Sequence, residues 1–289
     1  MISTIPDEIL NFCKKAFGDV YSFRHASGGC INNGGMLETQ NGRIFLKWNS
    51  ADRYPDMFDK EARGLNLLRE AQAIAIPEVV EVFAGKEYAC LVLEHINSSA
   101  PAEGFWNNFG RQLGQLHKSE AEQYGLDHDN YMGSLRQIND QKQDLVSFFK
   151  ECRLTPQIEL AKRDNKMDVR GLTLFDQLFE KLSELLIDDA PSLIHGDLWS
   201  GNFMVGVDGQ AVLIDPAVAY GHREMDLAMT RLFGGFNQTF YEAYHESYPL
   251  EAGFEDRFDI YNLYPLMIHV NLFGGGYYQQ VVNILKRYT

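Results

Sequence analysis

The residues best able to do chemistry lie in one stretch, His195-Gly196-Asp197-Leu198-Trp199-Ser200-Gly201-Asn202, followed thirteen residues later by Asp215 in Ile214-Asp215-Pro216. An Asp, an Asn five residues on and a second Asp after a hairpin form the acid cluster of kinase-type phosphoryl transfer. A carboxylate beside an acceptor hydroxyl takes its proton and aligns it, which is the work expected of Asp197. An Asn oxygen and a second carboxylate are hard ligands for Mg²⁺, which bridges nucleotide phosphates, so Asn202 and Asp215 are the expected metal pair. Turn-capping by isolated Asp and Asn would explain any one of these residues. It does not explain the whole pattern set between apolar strands.

Phosphoryl transfer also needs a cation on the phosphates. Lys47 sits in Ile44-Phe45-Leu46-Lys47-Trp48, where strand alternation puts Phe45 and Lys47 on one face and Ile44, Leu46 and Trp48 on the other. Glu61, on the helix that follows, is the expected carboxylate partner, with Glu38 and Glu70 as substitutes. Upstream, Ser27-Gly28-Gly29-Cys30-Ile31-Asn32-Asn33-Gly34-Gly35 reads as a Gly-rich turn between two strands. Its backbone N–H groups suit phosphate, although neither G-x-G-x-x-G nor the Walker pattern is present. Gly28, Gly29, Cys30, Ile31 and Asn32 are therefore ATP-binding candidates. Glu94, His95 and Ile96 close the first half, where main-chain groups would meet the adenine edge.

These residues need a sheet and a helix to carry them. Pro6 to Ala16 has helical spacing, and Tyr21–His25, Met36–Thr39 and Arg43–Trp48 read as strands, the last two around a Gln40-Asn41-Gly42 turn. Asp56 to Gln72 predicts a helix, and Ala75–Phe83 and Ala89–Glu94 two more strands. Helices are expected over Phe105–His117, Leu135–Arg153 and Gly171–Ile187, then strands at Leu193-Ile194, Phe203–Val205 and Ala211–Ile214, then closing helices. The expected organisation is an α+β chain with an N-terminal lobe over 1–94, a hinge at 95–99 and a mainly helical lobe over 100–289.

Composition narrows the function classes. The chain has 289 residues, 45% hydrophobic and 23% charged, as a folded globular protein does. A net charge of −14 repels nucleic-acid phosphate, so no nucleic-acid partner is expected. No apolar run reaches the length of a membrane span and no signal-peptide order opens the chain, so a cytoplasmic protein without a membrane partner is expected. Cys13, Cys30, Cys90 and Cys152 are widely spaced, with neither a zinc pattern nor a disulfide framework. Cys30 alone lies in the phosphate loop, where backbone N–H groups and Lys47 would favour its thiolate. It is the candidate redox switch, and the expected assembly is a monomer or a redox-dependent homodimer.

HGDLWSGN, the strand ending in Asp215-Pro216-Ala217, the run Gly221-His222-Arg223-Glu224-Met225-Asp226-Leu227-Ala228, the SGGCIN loop and His269-Val270-Asn271-Leu272-Phe273-Gly274 together resemble the fructosamine kinase (ketosamine-3-kinase) family. The resemblance runs from about residue 20 to the end. It implies the two-lobed protein-kinase-like fold shared with aminoglycoside and choline phosphotransferases. It also implies ATP and Mg²⁺ as cofactors, and phosphorylation of a fructosamine or ribulosamine, free or on a protein lysine, usually at the 3-hydroxyl. The product then falls apart, so the reaction removes glycation. On this pattern Asp197 is the base, Asn202 and Asp215 hold the metal, and Lys47 and Glu61 secure the phosphates. Trp199 lies against the sugar or its amine, with His195 and Glu224 as further acceptor-side candidates. Asp226 is expected to hydrogen-bond the catalytic-loop backbone, and His117 to be a packing histidine.

Two other classes compete. One keeps the fold but takes another cationic acceptor, such as an aminoglycoside or choline; the other is a catalytically dead nucleotide-binding scaffold. The second would normally lack Lys47, Asp197, Asn202 or Asp215, and all four are present. A Ser/Thr protein kinase is disfavoured because His195-Gly196-Asp197 and Asp215-Pro216-Ala217 stand where HRD and DFG would be expected.

Overall fold

The computed structural model describes residues 4–26 and 32–289. The chain divides into two compact units, one of residues up to Phe105 together with Phe203–Asp215, the other of Trp106–Asn202 and Pro216–Thr289.

The first unit is built on α1 (Asp7–Phe17), β1 (Val20–His25), β2 (Asn33–Thr39), β3 (Gly42–Ser50), α2 (Met57–Glu70), β4 (Val79–Ala84) and β5 (Tyr88–Glu94). Its five strands pair antiparallel in the order β1-β2-β3-β5-β4. Asp7 and Glu8 in the first turn of α1 and Lys14 and Lys15 in its last complement the helix dipole. Ile9 and Cys13 of α1 pack with Leu37, Leu46, Trp48, Cys90 and Val92 in a closed apolar cluster. That assigns Leu46 and Trp48 to the α1 face of the sheet and leaves Lys47 on the opposite face, as strand alternation requires. The strand expected from Ala75 starts only at Val79, because Pro77 has no N–H for a ladder.

Ala75 instead bridges to a second small sheet, β9 (Phe203–Val205) and β10 (Ala211–Leu213). Leu213 donates to the Ala75 carbonyl at 2.9 Å, and Ser99 to the Val205 carbonyl at 3.1 Å. This hairpin is thereby sewn into the first unit on both sides, and it delivers Asp215 there. β10 stops short of Ile214 because Asp215 turns into the left-handed region at φ +55°.

The second unit is mainly helical. It holds α3 (Phe105–His117, its first residue shared with the first unit), β6 (Asn130–Met132), β7 (Leu135–Gln137), α4 (Leu145–Ser147), α5 (Thr155–Arg163), α6 (Val169–Leu185), β8 (Ser192–Ile194) and β11 (Ala219–Gly221). Then follow α7 (Glu224–Leu232), α8 (Gln238–Ser247), α9 (Phe254–Tyr261), α10 (Leu263–Phe273) and α11 (Tyr277–Tyr288).

The single helix expected over Leu135–Arg153 is a correction. Leu135–Gln137 is a strand paired with Asn130–Met132, and the helix begins only at Leu145. Asp144 caps it by accepting from the Ser147 N–H at 2.8 Å. The intervening Asn139-Asp140 run favours turns over helix. From Phe148 to Leu154 the helix runs on in π-helical form, carrying the fully buried Arg153.

Candidate active site

In the first unit, β3 holds Lys47 opposite Gly34 on one side and Leu91 on the other. Its side chain is 7% exposed, and its Nζ donates to Glu61 Oε1 at 2.5 Å and to Asp215 Oδ1 at 3.0 Å. Burial works against the Lys47 charge, but Asp215 and Glu61 outweigh it and hold the ammonium well above its ordinary value. Burial pushes the Glu61 carboxyl up, and Lys47 opposes that. Glu38 and Glu70 are not the partners. Glu38 accepts from Ser22 and pairs with Arg43, and Glu70 is exposed at the end of α2. Asp215 keeps 46% of its side chain exposed while its backbone is in a region that non-glycine residues rarely occupy. Strain of this kind persists where surrounding structure over-determines it, and it concentrates at functional sites.

Gly28, Gly29, Cys30 and Ile31 lie outside the described residues, and the expected Cys30 switch falls there with them. Asn32, the first described residue after them, accepts on Oδ1 from Asn49 Nδ2 at 2.7 Å. The other cysteines are buried. Burial pushes the Cys13 thiol up to about 12 and raises Cys90 and Cys152 as well, which suits packing rather than reactivity. At the end of β5, Glu94 is exposed and its carboxylate accepts the Glu78 N–H at 3.2 Å. His95 and Ile96 are half-buried, and His95 Nδ1 is buried without a hydrogen-bond partner.

In the second unit, β8 leads into the loop that carries Asp197. Gly196 adopts φ +82°, and a Cβ there would lie 2.0 Å from the Ala217 carbonyl oxygen, so only glycine fits. Asp226, fully buried on α7, accepts the His195 N–H at 2.7 Å and the Gly196 N–H at 2.8 Å. His117 Nε2 lies 3.2 Å from the same carboxylate, and His117 Nδ1 lies 2.8 Å from the Tyr244 hydroxyl. Burial alone would raise the Asp226 carboxyl, but the His117 hydrogen bond and charge, with further help from the His195 and Gly196 side, hold it below its ordinary value. Further along the loop, Asn202 Nδ2 donates to the Asp197 carbonyl at 2.8 Å and to Asp197 Oδ2 at 3.0 Å. One amide thus closes the turn and aims the carboxylate.

The three acceptor-side candidates sit in different surroundings. His195 is fully buried; its Nδ1 accepts the Asp197 N–H at 3.3 Å, so it shapes the loop from beneath. Glu224, expected in the acceptor pocket, is instead buried against Arg257, which donates to both its oxygens at 2.7 and 2.6 Å. Burial pushes the Glu224 carboxyl up, and the Arg257 hydrogen bond and charge oppose that. Trp199 is half-exposed, folded over Gly201 and set edge to face on Phe233 with ring centres 6.1 Å apart. Arg257 was invisible to sequence reasoning because it stands 33 residues from Glu224 with no local spacing to link them. His117 carried a signal only as a polar residue at the end of an apolar helix.

Among the described residues there is no group of three or more His, Cys, Asp or Glu side chains that could hold a metal. The hard donors on offer are the Asp215 carboxylate and the oxygen of the Asn202 amide, whose nitrogen is committed to Asp197. Each, one in either unit, is a hard oxygen donor of the type Mg²⁺ takes, and Mg²⁺ needs only one or two protein oxygens, completing its shell with water and phosphate.

The sequence is related along its whole length to known kinases. A probable ketoamine kinase of Synechocystis sp. is 39% identical over 91% of this chain and 89% of its own. The ketosamine-3-kinase of Mus musculus is 31% identical, covering 91% and 93%. Among solved structures, a protein named "putative fructosamine-3-kinase" from Haemophilus somnus superposes with a TM-score of 0.84 at 30% identity, covering 96% and 95%. An aminoglycoside phosphotransferase in ternary complex with ADP and hygromycin B shares the kinase-like fold at a TM-score of 0.64 and 13% identity, covering 97% and 96%. The fructosamine kinase family model matches residues 1–289, and the chain belongs to the fructosamine kinase family.

Proposed function

We propose that this protein transfers the γ-phosphoryl group of ATP to a hydroxyl of a ketosamine, the 3-hydroxyl of a fructosamine or ribulosamine, and so begins the removal of glycation. The observation that carries the reading is the Lys47–Glu61–Asp215 cluster, a buried cation held by two carboxylates, in a chain of this family. Lys47 is the group for the nucleotide phosphates, with Glu61 fixing its position. Asp197, aligned by Asn202, accepts the proton of the attacking hydroxyl. The hydroxyl oxygen forms the new bond to the γ-phosphorus as the bond to the β–γ bridging oxygen breaks, and ADP leaves. Asn202 and Asp215 would hold Mg²⁺, which neutralises charge on the phosphates when bound. Asp226 and His117 keep the Asp197 loop in place from below. The family relationship favours a ketosamine over an aminoglycoside or choline acceptor, and the intact set of residues disfavours a scaffold.

The test is ADP release from ATP and Mg²⁺ with fructosyl-lysine and ribulosyl-lysine, run beside Asp197→Asn. Wild-type turnover that the variant loses by about 10²-fold or more, at an unchanged melting temperature, is expected for a lost general base. Nucleotide binding without turnover of either ketosamine would overturn the proposal.

A further inference from the structure

The connection between α7 and α8 opens with Phe233 and two left-handed glycines, Gly234 at φ +72° and Gly235 at φ +97°. A Cβ on Gly235 would lie 2.7 Å from Ser200 Cβ, so this connection rests directly on the loop that carries Asp197 and Trp199. Phe233 meets the Trp199 ring, and from Phe233 the contacts continue to His269 at 5.0 Å. His269 in turn contacts Phe273 at 5.5 Å and Tyr277 at 4.8 Å. The rings make a continuous row that starts on the catalytic loop and ends where α10 gives way to α11.

This row faces solvent. Phe233 is 40% exposed and Phe273 54%, unusual for large apolar rings, and nothing lies within 4 Å of where a Cβ would stand on Gly234, Gly274, Gly275 or Gly276. An exposed aromatic row beside a reactive loop marks a ligand surface. The middle of the row identifies the ligand's charge. His269 Nδ1 lies 2.7 Å from the Pro265 carbonyl, which can only accept, so Nδ1 carries the hydrogen. In the neutral ring Nε2 is then a lone-pair acceptor. Aromatic faces attract cations, and a lone pair attracts an N–H donor. Both features call for an alkylammonium, and neither suits a phosphate or a carboxylate.

We infer that this aromatic ledge holds the amine-side arm of the ketosamine, the protonated nitrogen and the alkyl chain of the lysine that carries the sugar. The inference rests on the ketosamine kinase reading above and deepens it. The sugar is processed at Asp197, and the ledge selects substrates by what lies beyond the nitrogen. A lysine adduct has an arm long enough to run from Trp199 and Phe233 toward His269 and Phe273. A methylamine adduct of the same sugar does not.

The experiment measures KM for two acceptors that share one sugar, fructose on the Nε of blocked lysine and fructose on methylamine, with the full chain. The lysine adduct is expected to have a KM about five- to tenfold lower, the size expected for burying roughly 50 Å² of its alkyl chain against the rings, since the protonated nitrogen is common to both acceptors. Phe273→Ala is expected to bring the ratio of the two KM values close to one. His269→Phe, which keeps a ring for the alkyl arm but removes the acceptor nitrogen, is expected to leave the ratio near its wild-type value, because the protonated nitrogen is common to both adducts. A wild-type ratio near one, or a ratio that Phe273→Ala leaves at the wild-type value, overturns the ledge and leaves the kinase reading standing. Absence of turnover with both adducts overturns the kinase reading and, with it, the ledge.

Discussion

Asp226→Asn is the sharpest test of how the Asp197 loop is held. The wild-type carboxylate is fully buried and accepts from two backbone N–H groups at 2.7 and 2.8 Å and from His117 at 3.2 Å. An amide has one accepting oxygen, and its NH₂ must face at least one of these three donors. One charge-assisted bond worth about 1.5–3 kcal/mol is lost, and a buried donor left without a partner adds about 1–3 kcal/mol. The expected loss is therefore about 3 kcal/mol or more, which lowers the melting temperature by roughly 6–12 °C. Activity should fall as well, because His195 and Gly196 lead directly into Asp197, and a shift of about 1 Å at a reacting group lowers turnover on the order of 10²-fold. The assay pairs thermal unfolding with steady-state kinetics, reading kcat separately from KM for ATP. The fall should appear in kcat, since Asp226 holds the loop that carries Asp197, the proposed base, and not the Lys47 cluster. A melting point within about 2 °C of wild type with normal kcat would refute the reasoning, because it would mean that the loop keeps its place without the carboxylate.

Lys47→Met should lower kcat/KM for ATP more severely than Glu61→Gln, because the first leaves two carboxylates without their cation while the second keeps the Asp215 contact; equal losses would count against the assigned roles. Glu224→Gln should cost about 3–5 kcal/mol of stability by leaving Arg257 buried without its charge partner, with the loss read in melting and not in acceptor KM. A selective rise in acceptor KM would return Glu224 to the substrate pocket. His222 is buried against Tyr261, and that burial pulls its imidazolium down to about 3. Its folded value lies below its unfolded value of about 6.5, so its contribution to stability is full above pH 6.5 and is lost as pH falls toward 3. Between pH 7 and pH 5 the loss is about 2 kcal/mol, and His222→Asn should flatten that slope in unfolding measured against pH.

The phosphoryl-transfer chemistry was legible in the sequence because it is written in local spacing. Asp197, Asn202 and Asp215 are joined by one loop and one hairpin, and strand alternation by itself put Lys47 on the face away from Leu46 and Trp48. Helix α3 and the strands around the Gln40-Asn41-Gly42 turn were readable for the same reason, since period and turn chemistry depend on neighbours in the chain. The helix expected from Leu135 failed where a short apolar pattern was ambiguous between strand and helix, and pairing with Asn130–Met132 decided it.

What only the tertiary structure decided are the partners brought from far along the chain. The choice of Glu61 over Glu38 and Glu70, the contact of Lys47 with Asp215 across 168 residues, and the capture of Glu224 by Arg257 have no spacing that announces them. The same holds for the row from Trp199 through Phe233 and His269 to Phe273, whose members come from the Asp197 loop, the connection after α7, and α10. Residue type and local period state which chemistry a chain can perform. Burial and long-range packing determine which of several equivalent side chains performs it, because a carboxylate becomes a structural ion pair or an open site according to what surrounds it.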